Sequence, residues 1–266
     1  MTRNVLLTIA YDGGAFHGWQ IQPNQRTVQG TLEEALEKLC GERVQLHGTS
    51  RTDAGVHAFG QRATFSGEFK IPADRLPEAM NHQLPDIQII AARDVPAGFH
   101  ARHDAAGKTY LYRIQLSGEP DIFSRNLVWR LKETPNVGNM REAAKYIEGR
   151  QDFACFRAAG GNPRGSTVRT VYAVRIEESE QPSLRGVPCR EIRIEITGNG
   201  FLYHMVRIIV GTLVKIGRGK QGPAEMKVII ASGDRAKAGP TAPAQGLYLR
   251  EVYFSEREIN ERIRQA

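Results

Sequence analysis

Twice along this chain, runs of β-forming residues alternate with segments whose apolar residues recur at helical spacing, and that recurrence restricts the fold more than any other feature. The first strand reads Val5-Leu6-Leu7-Thr8-Ile9-Ala10-Tyr11, closed by an Asp12-Gly13-Gly14 turn. After Pro23-Asn24, Val28, Leu32, Ala35, Leu36 and Leu39 mark a helix, with Thr27 placed to cap it and Gly41 to end it. A short strand is expected at Val44–His47, another near His57–Phe65, a helix over Ala73–His82 and a strand over Ile87–Ala92. The pattern then restarts. Lys108–Ile114 reads as a strand, and a helix near Asn139–Glu148 and strands near Val168–Glu177 and Glu191–Thr197 follow. Helices at Leu202–Ile216 and Ala224–Ala231 and a closing strand, Leu247–Phe254, complete the series. This predicts an α+β protein of two similar lobes, residues 1–105 and 106–266, joined near residues 103–108. Arg157–Arg164 and Glu178–Val187 read as mobile loops, and Gly233–Gln245 as an Ala/Pro/Gly loop.

The chain's 266 residues carry 36 Lys and Arg against 29 Asp and Glu, a formal charge of +7 that suits a polyanionic partner without requiring one. The basic residues are dispersed, among them Arg51, Arg62, Arg102, Lys108, Arg113, Arg164, Arg169, Arg207 and Arg218, so RNA would meet a folded surface. Three scattered cysteines, Cys40, Cys155 and Cys189, offer neither a disulfide framework nor C-x-x-C zinc spacing, and a reducing, cytoplasmic compartment is expected. The apolar run after Asn4 stops before Asp12, too short for a signal peptide, and no segment has the roughly 20 apolar residues of a membrane span.

Gly217-Arg218-Gly219-Lys220-Gln221-Gly222 spells G-x-G-x-x-G, but it follows a helix instead of opening one, so it reads as a helix end and no nucleotide cofactor is expected. The seven histidines show no H-x-x-x-H spacing, and no metal is expected. The loop Gly48-Thr49-Ser50-Arg51-Thr52-Asp53-Ala54-Gly55-Val56-His57 sets one carboxylate among small residues. An Asp there serves as nucleophile, general base or turn residue. On the apolar helix, Arg207 sits among Val206, Ile208, Ile209 and Val210 and calls for an anionic partner. His204, Arg207, Gly211, Lys215 and Arg218 fall on one helical face, which reads as solvated at Lys215 and Arg218.

Arg51-Thr52-Asp53-Ala54-Gly55-Val56-His57 resembles the signature of the tRNA pseudouridine synthase A family. Tyr11-Asp12-Gly13 with Gly18-Trp19-Gln20, Thr27-Val28-Gln29, Phe99-His100-Ala101-Arg102, Lys108–Arg113, Asn199–Arg207 and Gly246-Leu247-Tyr248-Leu249 extend the likeness along nearly the whole chain. Ser50 departs from it, since many members carry Gly directly before the Arg. The resemblance implies the pseudouridine synthase fold: two lobes of mainly antiparallel sheet flanked by helices, with a central active-site cleft. It also implies a cofactor-free isomerisation of uridine to pseudouridine at positions 38, 39 and 40 of the tRNA anticodon stem-loop, performed by a homodimer. Asp53 matches the catalytic aspartate, as nucleophile or base. Tyr110 matches the tyrosine that stacks on the uracil, and Arg207 the partner of Asp53. Arg51 matches a residue associated with holding the RNA helix open, and Leu247 one that packs on the target base. Two other readings stand beside it, a non-catalytic RNA-binding or chaperone protein on the same fold and a metal-dependent hydrolase.

Overall fold

The computed structural model describes residues 2–116, 122–160, 165–182, 186 and 188–265. Its elements in chain order are β1 (Arg3–Tyr11), α1 (Val28–Cys40), β2 (His47–Gly48), β3 (His57–Gly67), α2 (Leu76–Asn81) and β4 (Ile87–Val95). Next come β5 (Gly107–Leu116), β6 (Trp129–Leu131), α3 (Val137–Ala144), β7 (Gly149–Asp152), β8 (Val168–Pro182), β9 (Pro188–Gly198), α4 (Met205–Gly217) and α5 (Glu225–Ser232). The chain closes with β10 (Leu247–Tyr253) and α6 (Glu256–Gln265).

Two compact units result, Met1–Ala106 with Tyr248–Ala266, and Gly107–Leu247. The sequence placed everything after residue 105 in one lobe. The structure returns the last segment to the first unit, because β10 pairs in parallel with β3 through Tyr248↔His57 and Leu249↔Ala58.

In the first unit the strands run β4-β1-β3-β10, with β2 against β3. Strand β1 is flanked on both edges by antiparallel partners, so its residues are mostly buried, and Val5, Leu7 and Ile9 are fully so. On the opposite side of the pleat Leu6 packs with Val95 and Ala101, over which Phe99 and Phe254 lie. Helix α1 buries Val28, Leu32, Ala35 and Leu36; Thr27 Oγ1 accepts the Gly30 N–H at its start, and Gly41 ends it in the left-handed conformation at φ 74°. The expected strand at Val44–His47 shrinks to His47–Gly48. Side chains of α1 replace a sheet ladder at Leu46, whose N–H donates to Glu33 Oε1 and whose carbonyl accepts from Gln29 Nε2. The expected helix over Ala73–His82 splits into a single 3-10 turn and α2, whose start is set by Pro77.

The second unit has the order β5-β9-β8-β7, with β6 parallel to β5. Within the stretch Glu178–Val187, expected as a mobile loop, residues 178–182 are strand. Strand β8 runs to Pro182 against β9, and Glu178 takes a cross-strand hydrogen bond from Arg190 Nη2 at 3.1 Å. Residues 161–164, with Arg164, and 183–185 and 187 lie outside the described residues. Helix α3 starts two residues before the expected helix and ends four before it, capped by Asn136 and followed by Gly149 at φ 102° and strand β7. Helix α4 ends at Gly217, and Gly219 beyond it has φ 73°, so the G-x-G-x-x-G stretch is a helix end as expected.

Candidate active site

The loop carrying Asp53 is fixed residue by residue from the strands around it. The N–H of Thr49 donates to the Arg62 carbonyl at 2.8 Å, and its hydroxyl lies 3.0 Å from the carbonyls of both Arg62 and Ala101. Gln61, fully buried in β3, clamps Ser50: its Nε2 donates to the Ser50 carbonyl at 2.7 Å and its Oε1 accepts the Ser50 N–H at 3.2 Å. The Thr52 carbonyl accepts the Trp19 N–H at 3.0 Å, and its hydroxyl pairs with that of Tyr11 at 2.8 Å. The Asp53 carbonyl accepts the Val56 N–H at 3.1 Å, closing a turn whose third residue, Gly55, has φ 77°. Asp53 is half-buried and Arg51 is exposed.

Two glycines let the first strand and its following loop press on this turn. A Cβ on Gly13 would lie 2.1 Å from the Val56 carbonyl oxygen. One on Gly18, at φ 90°, would lie 2.8 Å from that of Thr52. The Tyr11-Asp12-Gly13 and Gly18-Trp19 motifs are therefore the backing of the Asp53 loop. Behind it, His57 is buried, and its Nδ1 is 3.1 Å from both the Gly13 N–H and Asp12 Oδ1. One ring nitrogen accepts from the first or donates to the second, never both at once. The His57 ring stacks on Tyr248 at 4.7 Å, and Tyr248 stacks in turn on the exposed Phe59.

In the second unit, Tyr110 and Tyr112 share one face of β5. Tyr110 is buried and meets the Phe201 ring edge-on at 5.1 Å. The hydroxyl of Tyr112 donates to the Pro243 carbonyl at 2.8 Å. Burial pushes this phenol far above its usual range, with the Arg207 charge opposing the shift, so it stays a neutral donor. Pro243 ends a strap, residues 239–243, that lies across α4. The N–H of Gly239 donates to Thr212 Oγ1 at 2.8 Å, and that hydroxyl donates to the Ile208 carbonyl at 2.8 Å. The Ala242 N–H donates to the Arg207 carbonyl at 3.1 Å, and Arg207 Nε donates to the Ala242 carbonyl at 2.7 Å. Arg207 is thus gripped at backbone and side chain by one residue, which fixes the plane of its guanidinium. The polar face expected along α4 is accordingly covered in its middle: Gly211 is buried under Pro240, while Lys215 is half-buried and Arg218 exposed. After a 3-10 turn, Ala244–Gly246, Leu247 is buried at the start of β10, and a Cβ on Gly246 would lie 2.7 Å from the Tyr112 ring.

Asp53 and Arg51 thus belong to the first unit, and Tyr110, Arg207 and Leu247 to the second, where Tyr112 and the strap link β5, α4 and the start of β10. Gln61, Thr52, Tyr112 and Thr212, which hold these groups, were not singled out from sequence. Their signal was faint: a polar residue at a position that strand or helix periodicity assigns to the core. Among the described residues, no group of three or more His, Cys, Asp or Glu is arranged to hold a metal ion. No helix is long and apolar enough to cross a membrane among those residues.

The sequence pattern of the family described as "tRNA pseudouridine synthase" matches residues 7–104 and 143–255. A tRNA pseudouridine synthase A of Ruminiclostridium cellulolyticum is 48% identical over 253 residues, 95% of this chain and 100% of the relative. Proteins of the same name from Thermoanaerobacter sp. (strain X514) and Brevibacillus brevis are 47% and 44% identical, over 95% and 92% of this chain and 100% and 97% of their own lengths. Among solved structures, a match to that of an archaeal box H/ACA sRNP Nop10–Cbf5 complex covers 94% of this chain and 50% of the other, at 11% identity and a TM-score of 0.30.

Proposed function

Because the chain belongs to the tRNA pseudouridine synthase family, we propose that it isomerises uridine to pseudouridine at positions 38, 39 and 40 of the tRNA anticodon stem-loop. The observation that carries this is the 48% identity maintained over 95% of the chain and the whole of a relative so named. The protein is an isomerase: the N1–C1′ bond of uridine breaks, the uracil turns, C5 bonds to C1′, the C5 proton departs to solvent, and N1 takes up a proton. The target uridine is extruded from the stem, at a cost of a few kcal/mol in unstacking that pocket contacts offset.

In this reading Asp53 works on the ribose, as nucleophile at C1′ or as base on a sugar proton, and the fixed turn beneath it limits the reorganisation it needs. Tyr110 stacks on the uracil, Leu247 packs on it, Arg207 pairs with the Asp53 carboxylate, and Arg51 keeps the RNA helix open. The grip of Ala242 on Arg207 supports a positioned guanidinium. A homodimer in the cytoplasm completes the proposal, the first from the family resemblance and the second from the tRNA substrate.

The test is tritium release from tRNA labelled at C5 of uridine, with EDTA present. Release at the three positions supports the reading, binding without release points to the non-catalytic alternative, and EDTA-sensitive cleavage points to a hydrolase.

A further inference from the structure

Beside the Asp53 loop, the first unit holds three imidazoles in a row, each tilted against the next. The His47 ring lies 5.0 Å from that of His100, which lies 4.3 Å from that of His103. Their backbone is built to keep them there. Ala101, fully buried, donates its N–H to Thr64 Oγ1 at 3.3 Å, and its carbonyl takes the Thr49 hydroxyl at 3.0 Å. The turn itself is closed by the His103 and Asp104 N–H groups on the His100 carbonyl and by Asp104 Oδ2, which accepts the His100 N–H at 2.8 Å. His100 Nδ1 accepts the Arg102 N–H at 3.1 Å, so the neutral ring carries its proton on Nε2 and presents a donor there. Arg102 and His103 are exposed, and His47 is half-buried.

We propose that His47, His100, His103 and Arg102 form a binding site for a phosphate oxygen of the RNA backbone. The proposal rests on the isomerase reading for the identity of the RNA, and on the cluster for the site. Imidazoles this close pack against one another as neutral rings and repel as cations. Burial first, then His103 and His47, lower the readiness of His100 to protonate, and Asp104 opposes them. An anion seated on the cluster takes the Nε2–H that neutral His100 already presents and favours protonation of the flanking His47 and His103 rings, while Arg102 adds a charge that does not titrate. The site adjoins the reactive loop through Thr49, four residues before Asp53, which bonds Ala101. A backbone phosphate here would index the RNA against that loop.

Linkage gives the sign. Where the bound imidazoles hold protons more firmly than the free ones, binding takes up protons, so affinity rises as pH falls from about 7.5 toward 5.5. Each proton taken up adds up to about tenfold per pH unit. The experiment measures the dissociation constant of an anticodon stem-loop RNA from pH 5.5 to 8 at fixed ionic strength, for the wild type and for His47→Gln/His103→Gln. The wild type should tighten on acidification, and the double variant should lose at least one proton's worth of slope. A second readout spares the fold: the imidazole C–H resonances of the wild type should titrate at higher pH once the RNA is added. Equal slopes in both proteins, or resonances that the RNA leaves unmoved, overturn the proposal. A shift produced by inorganic phosphate and not by RNA overturns the assignment to an RNA phosphate. Tritium release by the wild type is followed in parallel. If release occurs while slope and resonances ignore the cluster, the site falls and the isomerase stands. If no release occurs, the isomerase reading falls, and slope and resonances still decide the site.

Discussion

Gly211→Ala is the substitution that most sharply questions the strap over α4. An alanine Cβ at this position would lie 1.8 Å from the Pro240 carbonyl oxygen and 2.9 Å from its carbon. An ordinary carbon–oxygen contact is roughly 3.3 Å, so the strap must retreat by about 1.5 Å. Ala242 is two residues on, and its two bonds to Arg207, at 3.1 and 2.7 Å, do not survive such a shift. Losing one neutral and one charge-assisted hydrogen bond costs about 2.5–4 kcal/mol. Alanine in a helix interior returns about 1 kcal/mol over glycine, so the steric cost wins by about 1.5–3 kcal/mol. That corresponds to a fall in melting temperature of roughly 4–10 °C. Releasing the guanidinium by about an ångström should lower kcat on the order of 10²-fold, with a smaller change in KM. The assay pairs thermal melting with pseudouridine formation at saturating tRNA, using Lys215→Ala, one helical turn along the same face, as a control expected to change little. A native melting temperature with full activity refutes the packing argument. A lowered melting temperature with unchanged kcat refutes the positioning of Arg207 by the strap.

Two further expectations concern stability. The Ser50 hydroxyl is buried without a hydrogen-bond partner, a burden of about 1–3 kcal/mol, so Ser50→Ala should raise the melting temperature by a few degrees, and a decrease contradicts this. Burial alone would raise the Glu191 carboxyl, but Arg113, bonded through both its oxygens at 2.9 and 2.8 Å, and Arg193 at 2.9 Å hold it below its usual range. A depressed value means that this stabilisation is complete above the unfolded carboxylate's pKa near 4.3 and disappears as pH falls through the folded value. Glu191→Gln should therefore cost about 2 kcal/mol at pH 7 and flatten the acid decline of the melting temperature below about pH 4.5, whereas an equally steep decline removes the claim.

Element positions were legible where side-chain periodicity and backbone chemistry agreed, as at β1, or at α1 between Thr27 and Gly41. They failed where a distant partner decides. Leu46 reads as a strand residue until Glu33 and Gln29 of α1 take its backbone groups. Glu178 reads as loop because it is charged, but the β9 ladder opposite, Ile192, makes it a strand residue, and Arg190 bonds its carboxylate. The domain boundary missed the return of β10 to β3 because parallel pairing leaves no turn signature between the partners. Within the site, Asp53, Tyr110 and Arg207 carried motifs, while Gln61 and Thr212 carried none. Their role is to satisfy backbone groups that are distant in sequence, and a residue type does not announce such a partner.

The central claim is that the Asp53 carboxylate performs the chemistry on a loop that the rest of the protein holds still. Asp53→Asn keeps the shape of the side chain and removes its charge, so the hydrogen bonds around Thr49, Ser50 and Thr52 remain. Pseudouridine formation and tRNA binding are measured on the same preparation. The account predicts no detectable turnover over background and tRNA affinity within a few-fold of the wild type, because affinity comes from dispersed phosphate contacts. A variant that binds tRNA and forms pseudouridine near the wild-type rate contradicts it.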